Sequence, residues 1–370
     1  MYSDMIRSDE YRQQLLDFIR QEYGIEGIDI NPTKRGFYGE TWKLSTTNDS
    51  YFIKTVYSAV HKPVYESSFP VVDRLNRYGI DFVSKIVKTT EGHLSTRYDD
   101  VVLGVFDWIE GENREDEDTK IREYQMLAKV YTVPTAGLRI PQEDFSGNSA
   151  DRFFMQWELL SSDLPICKIF ERYRFKIEER AKRLRLFSQR CRNDKSHFFI
   201  THGDAGGNYV VSAKTKPKGQ DTRQQSCQSQ QSCQSQQSRQ SQQSCQSQQS
   251  RQSQLSCLRN ALSRSSCDDE EITLNDYIVD WDTPMLAPPE RDAWFCMQWD
   301  WARKAFHEAL RQNGIDYTLR PERLAYYSYH MFFFYLNAYL DCFIETGATQ
   351  GIEEYLNGWI EEAFRYADKV

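Results

Sequence analysis

A membrane-spanning segment is missing from this 370-residue chain: its longest apolar run, Met331 to Leu336, falls far short of the about 20 residues that cross a bilayer. The stretch from Met1 to Arg20 is charged and has no apolar core, so no secretory signal is expected. Positive charge is not in excess either. Lys and Arg total 46 against 54 Asp and Glu, a net charge of −8, which argues against nucleic acid because phosphate binding favours a basic face. The same balance suits a cationic small molecule. Nine cysteines are present, but a disulfide framework is not. Five of them (Cys227, Cys233, Cys245, Cys257 and Cys267) sit in or beside one low-complexity tract and the rest are scattered, so a reducing cytoplasm is the expected compartment.

What is there centres on two short stretches. In the first, Thr201 to Val211, the residues His202, Asp204 and Asn208 lie in a Gly-rich loop running into Tyr209-Val210-Val211. In the second, Tyr277-Ile278-Val279 is β-prone and ends at Asp280, with Trp281 and Asp282 following. A strand pair carrying one acid before it and another after it suits phosphoryl transfer. One carboxylate can orient an attacking hydroxyl while the other, with an amide oxygen, holds Mg²⁺ on a nucleotide.

Upstream, Tyr11, Leu15, Phe18 and Ile19 recur at helical spacing, predicting an amphipathic helix that closes near Gly24. Ile28 and Ile30 alternate as a strand, and a turn containing Gly36 and Gly39 precedes Thr41-Trp42-Lys43-Leu44. That layout suits either an ordinary hairpin or a loop covering phosphates, though it lacks the third glycine of G-x-G-x-x-G. Lys54 is the one charge on the strand Tyr51 to Val56: a snorkelling edge residue or a phosphate-binding ammonium, with Lys43 as the fallback. Phe82-Val83, Leu94 to Thr96 and Val101 to Phe106 are expected as further strands. Helical spacing marks Ile121 to Tyr131, Phe170 to Phe187, Trp294 to Leu310 and the aromatic-rich Leu324 to Phe343, whose His330 reads as a core histidine.

From Ala213 to about Leu274 the composition changes. Gln-Ser-Cys-Gln-Ser-Gln repeats with a period of six and offers almost no apolar side chains, so disorder at a hairpin tip is expected, with a thiol-based tether or partner tail as the functional options.

His202-Gly203-Asp204 with Asn208, followed by Ile278-Val279-Asp280-Trp281-Asp282, resembles the catalytic and metal-binding motifs of the aminoglycoside phosphotransferase family. The tail Asp282 to Asp292 is closest to spectinomycin-type members. Two departures stand out. Three residues instead of four separate Asp204 from Asn208, and the repeat tract lies between Asn208 and Asp280. The resemblance implies an α+β, protein-kinase-like, two-lobed fold: an antiparallel sheet lobe over 1–112 and a mostly helical lobe over 113–370, with 213–274 as an insertion. It implies Asp204 as the residue that positions and deprotonates the acceptor hydroxyl, with Asn208, Asp280 and Asp282 at Mg²⁺. ATP or GTP would lie near Gly36, Gly39 and Lys54, with Glu66 orienting the lysine and Phe106, Asp107, Trp108 and Ile109 at the adenine. His202 and Asp292 would be structural. Pro70 sets a difficulty for Glu66, because in a helix interior its ring would clash with the carbonyl of residue 66. The acceptor would be an aminoglycoside- or aminocyclitol-like hydroxyl compound, whose charge Glu353, Glu354, Glu361 and Glu362 could meet if they are not simply a solvated face. A non-catalytic kinase-like binding or spore-coat-type protein, and a kinase for choline, homoserine or an amino sugar, are the alternatives.

Overall fold

The computed structural model describes residues 8–33, 39–59, 61–204, 208–215, 272–295, 298–358 and 360–370. The chain divides into two units, one of residues 1–212 with 276–370 and one of residues 213–275. Nearly all of the second, including the Gln/Ser/Cys repeat, lies outside the described residues, as does the turn with Gly36.

The first unit opens with helix α1, Asp9–Tyr23. Ser8 caps it by accepting from the Tyr11 amide, Gly24 ends it in the left-handed conformation, and Leu15, Ile19 and Tyr23 turn inward. Those side chains cover one face of a six-stranded antiparallel sheet built from β1 (Asp29–Pro32), β2 (Gly39–Ser45), β3 (Ser50–Val56), β4 (Ile86–Val87), β5 (Thr96–Tyr98) and β6 (Val101–Asp107). The order is β1-β2-β3-β6-β4, with β5 also on β6. Helix α2, Lys62–Arg77, crosses between β3 and β4 and packs Tyr65 and Phe69 onto Val56 and Val102.

Helices dominate the remainder. A short β7 (Glu112–Asn113) precedes α3 (Glu117–Val130), α4 (Asn148–Leu159), α5 (Pro165–Arg172) and α6 (Arg174–Cys191). Then β8 (Phe199–Thr201), β9 (Tyr209–Thr215), β10 (Ile272–Ile278) and β11 (Met285–Ala287) carry the two motif stretches. The chain ends in α7 (Glu290–Ala293), α8 (Asp300–Gln312), α9 (Pro321–Thr346), α10 (Ile352–Asn357) and α11 (Ile360–Ala367). The aromatic face of α9 is core: Tyr326, Tyr327, Tyr329, Phe332 and Phe333 are all buried against α4 to α6. No helix among the described residues is long and apolar enough to cross a membrane.

Several expected boundaries move. Phe82 and Val83 are buried in a turn instead of a strand, because their side chains fill the core beside α2 and α3 without needing a ladder. The expected strand at 94–96 starts at Thr96. The helix expected over 170–187 breaks at Tyr173 into α5 and α6, and α8 starts at Asp300 instead of Trp294. Glu353 and Glu361 form ion pairs with Arg172 and with Lys176 of α5 and α6, so they are tied into helix packing instead of lining a cleft. Glu354 is exposed, and the side chain of Glu362 lies outside what is described.

Candidate active site

Antiparallel pairing of β8 with β11 sets Thr201 opposite Met285, so the chain segments leaving these strands, 202–204 and 282–284, lie side by side. The Val279 amide also donates to the Asn208 carbonyl at 3.0 Å. Two loops far apart in sequence are thereby fixed against each other.

His202 is buried and works within the backbone. Its Nε2 lies 2.9 Å from the Val279 carbonyl and its Nδ1 3.2 Å from the Asp204 amide. A carbonyl only accepts and an amide only donates, so the imidazole is neutral with its proton on Nε2. Burial, which pushes its pKa below the usual value, favours the same form. The ring also meets Trp281 edge-on at 4.7 Å. Asp292 accepts from the amides of His202 (3.1 Å) and Gly203 (2.6 Å) and from the Tyr131 hydroxyl (2.9 Å), bracing the loop from below.

Asp204 follows directly, with its carboxyl pushed up to about 6 by burial and then by the charge of Asp280. It is largely ionised at neutral pH and close to the range that suits a general base. Asn208 turns its amide nitrogen back onto the Asp204 carbonyl at 2.6 Å. That bond uses the amide nitrogen, and among the described residues no bond is made by the Asn208 side-chain oxygen.

Asp280 has φ +66°, a left-handed backbone that non-glycine residues rarely adopt and that tends to mark functional positions. The Asp282 amide closes the turn onto the Asp280 carbonyl at 2.9 Å. Across the sheet, Lys54 of β3 reaches both acids: its ammonium is 2.5 Å from Asp280 Oδ1 and also bonds Asp282. Burial alone would lower the lysine pKa, but the two carboxylates outweigh it and raise it. Asp280 is held below the usual carboxylate range by Lys54 against the opposing effect of burial. Asp282 goes the other way, raised by burial and by Asp280 beside it. At the head of β2, a Cβ on Gly39 would lie 1.6 Å from the Thr55 carbonyl, so only glycine lets the two strands approach so closely next to Lys54.

Other expected partners lie elsewhere. Glu66 does not meet Lys54; its carboxylate takes a two-pronged bond from Arg97, at 3.1 and 2.8 Å. The reason is geometric, since Arg97 on β5 is the cation facing that turn of α2, while Lys54 is already held by the two aspartates. Lys43 pairs with Glu110 and lies over the Trp108 ring, away from the acids. Among the residues expected at the adenine, Phe106 stacks on Phe69, and the amides of Asp107 and Trp108 donate to the carbonyls of Lys85 and Ser50. Those two N–H groups are therefore spent, and Ile109 is the member of the expected set without such a bond among the described residues. Sequence reasoning missed Arg291, whose guanidinium bonds Thr201 and the Thr283 carbonyl, and Tyr131, which bonds Asp292. Only the position of Arg291 next to Asp292 could have hinted at it.

Asp280 and Asp282, both bonded to Lys54, bring two carboxylates together, oxygen donors of the kind that suits a hard divalent cation such as Mg²⁺, and the backbone bond from Val279 brings Asn208 to the same turn. The residues present fit that ion.

No protein-family model matches the sequence, and no curated protein matches it. Solved structures do. Spectinomycin phosphotransferase APH(9)-Ia, solved with ADP and spectinomycin, superposes with a TM-score of 0.63 at 17% identity, over 97% of this chain and 98% of that one. The fold is that of the small-molecule phosphotransferases. Within this fold, amicoumacin kinase hAmiN, solved with AMP-PNP, Ca²⁺ and Ami, matches with a TM-score of 0.57 at 12% identity, over 100% and 97% of the two chains. Choline kinase LicA from Streptococcus pneumoniae follows, with a TM-score of 0.54 at 12% identity, over 98% and 100%. The chain is α+β, with the two-lobed kinase-like architecture.

Proposed function

We propose that this chain is an ATP-dependent small-molecule kinase, moving a γ-phosphate to a hydroxyl of an aminoglycoside- or aminocyclitol-like or related small compound. One observation carries the reading. Lys54, Asp204, Asn208, Asp280 and Asp282 come from three separate stretches of sequence and are brought together in a fold whose solved examples hold ADP or AMP-PNP. A surface accident would not unite a lysine, a base-like carboxylate and two further carboxylates.

In this reading Asp204 orients the acceptor hydroxyl and takes its proton as the new O–P bond forms and the bond to the departing ADP breaks. Its raised pKa makes it a better acceptor than an ordinary aspartate while leaving it ionised at neutral pH. His202 and Asp292 hold the loop so that the carboxylate stays aimed. Asn208, Asp280 and Asp282 would hold Mg²⁺, which when bound supplies positive charge to the phosphate oxygens. Lys54, which pairs with Asp280 and Asp282, would turn its ammonium to the α- and β-phosphates once those acids are otherwise engaged. Gly36 and Gly39 would cover them, and Ile109 would offer a backbone group to adenine. The acidic balance of the chain, with solved relatives that hold spectinomycin or amicoumacin or act on choline, supports a cationic acceptor.

A thermal-shift titration with ATP, with and without Mg²⁺, tests the reading together with a transfer assay over aminocyclitols, aminoglycosides and small alcohols. Wild type is expected to be stabilised only when Mg²⁺ accompanies ATP, and Asp280→Ala is expected to lose that rise. Asp204→Asn should keep it and lose transfer by about 10²- to 10⁴-fold. Full activity in Asp280→Ala would sink the assignment. Absence of any nucleotide shift in wild type would favour a binding protein without catalysis.

A further inference from the structure

In the protein-kinase pattern H-R-D, an arginine stands between the histidine and the catalytic aspartate. Here that position is Gly203, with φ +88°. The space a side chain would need is taken: a Cβ on Gly203 would lie 2.1 Å from the central carbon and both terminal nitrogens of the Arg291 guanidinium. The guanidinium plane therefore lies flat across the glycine Cα. One of its nitrogens donates to Thr201 Oγ1 at 3.1 Å and another to the Thr283 carbonyl at 2.9 Å. Thr201 enters the loop that carries Asp204, and Thr283 belongs to the turn that carries Asp280 and Asp282. Thr201 in turn donates to the Met285 carbonyl at 3.0 Å, closing the link through β11.

Charge points the same way. Asp204, Asp280, Asp282 and Asp292 gather within this small region, and Lys54 answers only Asp280 and Asp282. Arg291 brings a permanent cation against Gly203, one residue before Asp204, and next to Asp292 in sequence. Its flanking residues lock it in place: Glu290 accepts from the Tyr317 hydroxyl at 2.8 Å and from the Arg320 amide at 2.6 Å, while Asp292 holds the two loop amides. A planar fork with several donors can span two backbones and stack on a third, which a lysine cannot do.

We infer that Arg291 is the positioning residue of this site, a guanidinium supplied from α7 that takes the place left by Gly203 and sets the Asp204 loop against the Asp280 turn. The inference rests on the phosphotransfer reading for its effect on turnover, but its geometry does not. Two readouts keep the two apart.

The first is amide hydrogen exchange, followed by mass spectrometry on peptides covering 199–204 and 281–286. Arg291→Met and Gly203→Ala are expected to speed exchange in both segments by tenfold or more, and Arg291→Lys to rescue neither. If Arg291→Met does not fold, Thr201→Val, which removes one anchor and keeps the shape, serves instead and should loosen both. Acceleration in one segment alone, or in neither, overturns the inference whether or not the protein transfers phosphate. The second readout is kinetic. Arg291→Gly should lose about 10²-fold in kcat with the Mg²⁺-nucleotide Kd within threefold of wild type, and ethylguanidinium in solution should restore part of kcat. A loss confined to nucleotide affinity, or no response to ethylguanidinium, also overturns it. Wild type that transfers phosphate to nothing would refute the kinase reading and leave the exchange result standing.

Discussion

At the scale of single residues, Lys54 decides how the acidic pair of the site is held together. Two carboxylates separated only by Trp281 would repel, yet here one ammonium, only 12% exposed, bonds both and compensates for its own burial. The lysine thus stands where a divalent cation would otherwise balance Asp280 and Asp282. Removing it should expose that competition. Lys54→Met is expected to bind Mn²⁺ without nucleotide about tenfold more tightly than wild type, the equivalent of roughly 1.4 kcal/mol, while binding ATP more weakly. Titration of the free protein with Mn²⁺, read by electron paramagnetic resonance, checks this. Equal or weaker Mn²⁺ binding would mean that the lysine supports the acids without competing for them. The lysine was visible in the sequence as the lone charge on an apolar strand. Its partners were not, because Asp280 and Asp282 lie over two hundred residues away and meet it only through tertiary packing.

Among the elements, helix α2 shows why local rules alone misplace a site. Pro70 removes an amide and crowds the carbonyl of residue 66, which argues for a helix starting after Ser68. The helix nevertheless runs from Lys62 to Arg77. Tyr65 and Phe69 are buried on one side of the proline and Val71, Val72 and Leu75 on the other, and this burial outweighs a cost of about 3 kcal/mol. Continuity brings Glu66 to face Arg97 on β5. Helix α1 was legible from its spacing and its closing glycine, α3 from spacing from Ile121 onward though not from its Asp116 cap, and the strand from Val101 to Phe106, because these patterns need no distant partner. Helix α3 also carries a test of its own. Glu123 is buried, and burial pushes its carboxyl up to about 7 despite the bond from Lys120. The folded state then binds a proton more tightly than the unfolded chain, so stability falls as pH rises from about 4.5 through 7. Glu123→Gln should therefore be more stable than wild type by about 2–3 kcal/mol at pH 8 and no different on this account at pH 4. Urea denaturation at both pH values measures it, and a difference independent of pH would show that the carboxyl does not titrate in this range.

On the scale of the whole molecule, the two motif stretches were readable as chemistry before they were readable as neighbours. Their residue types announce a base and a metal-binding pair, but the tract between them hides that they belong to adjacent strands. What joins them is set by β8 on β11 and by the Val279 amide on Asn208, long-range hydrogen bonds that leave no periodic trace in the sequence. The clamp by Arg291 is equally silent, since a single arginine in a Pro-rich tail has no local signature. These bonds also bear on the repeat. The hydrogen bonds described for the site all lie in residues 1–212 or 276–370, so the expectation for the repeat is that it acts as a connection that must close. Deleting Gln224 to Ser253 roughly halves that loop and changes its closure entropy by about 0.6 kcal/mol in favour of folding. The shortened protein is expected to melt within about 2 °C of the full chain, at the same or slightly higher temperature. It should also keep transfer rates within twofold. Calorimetry and the transfer assay on the two proteins decide the point: a fall in either would mean that the repeat does more than connect β9 to β10.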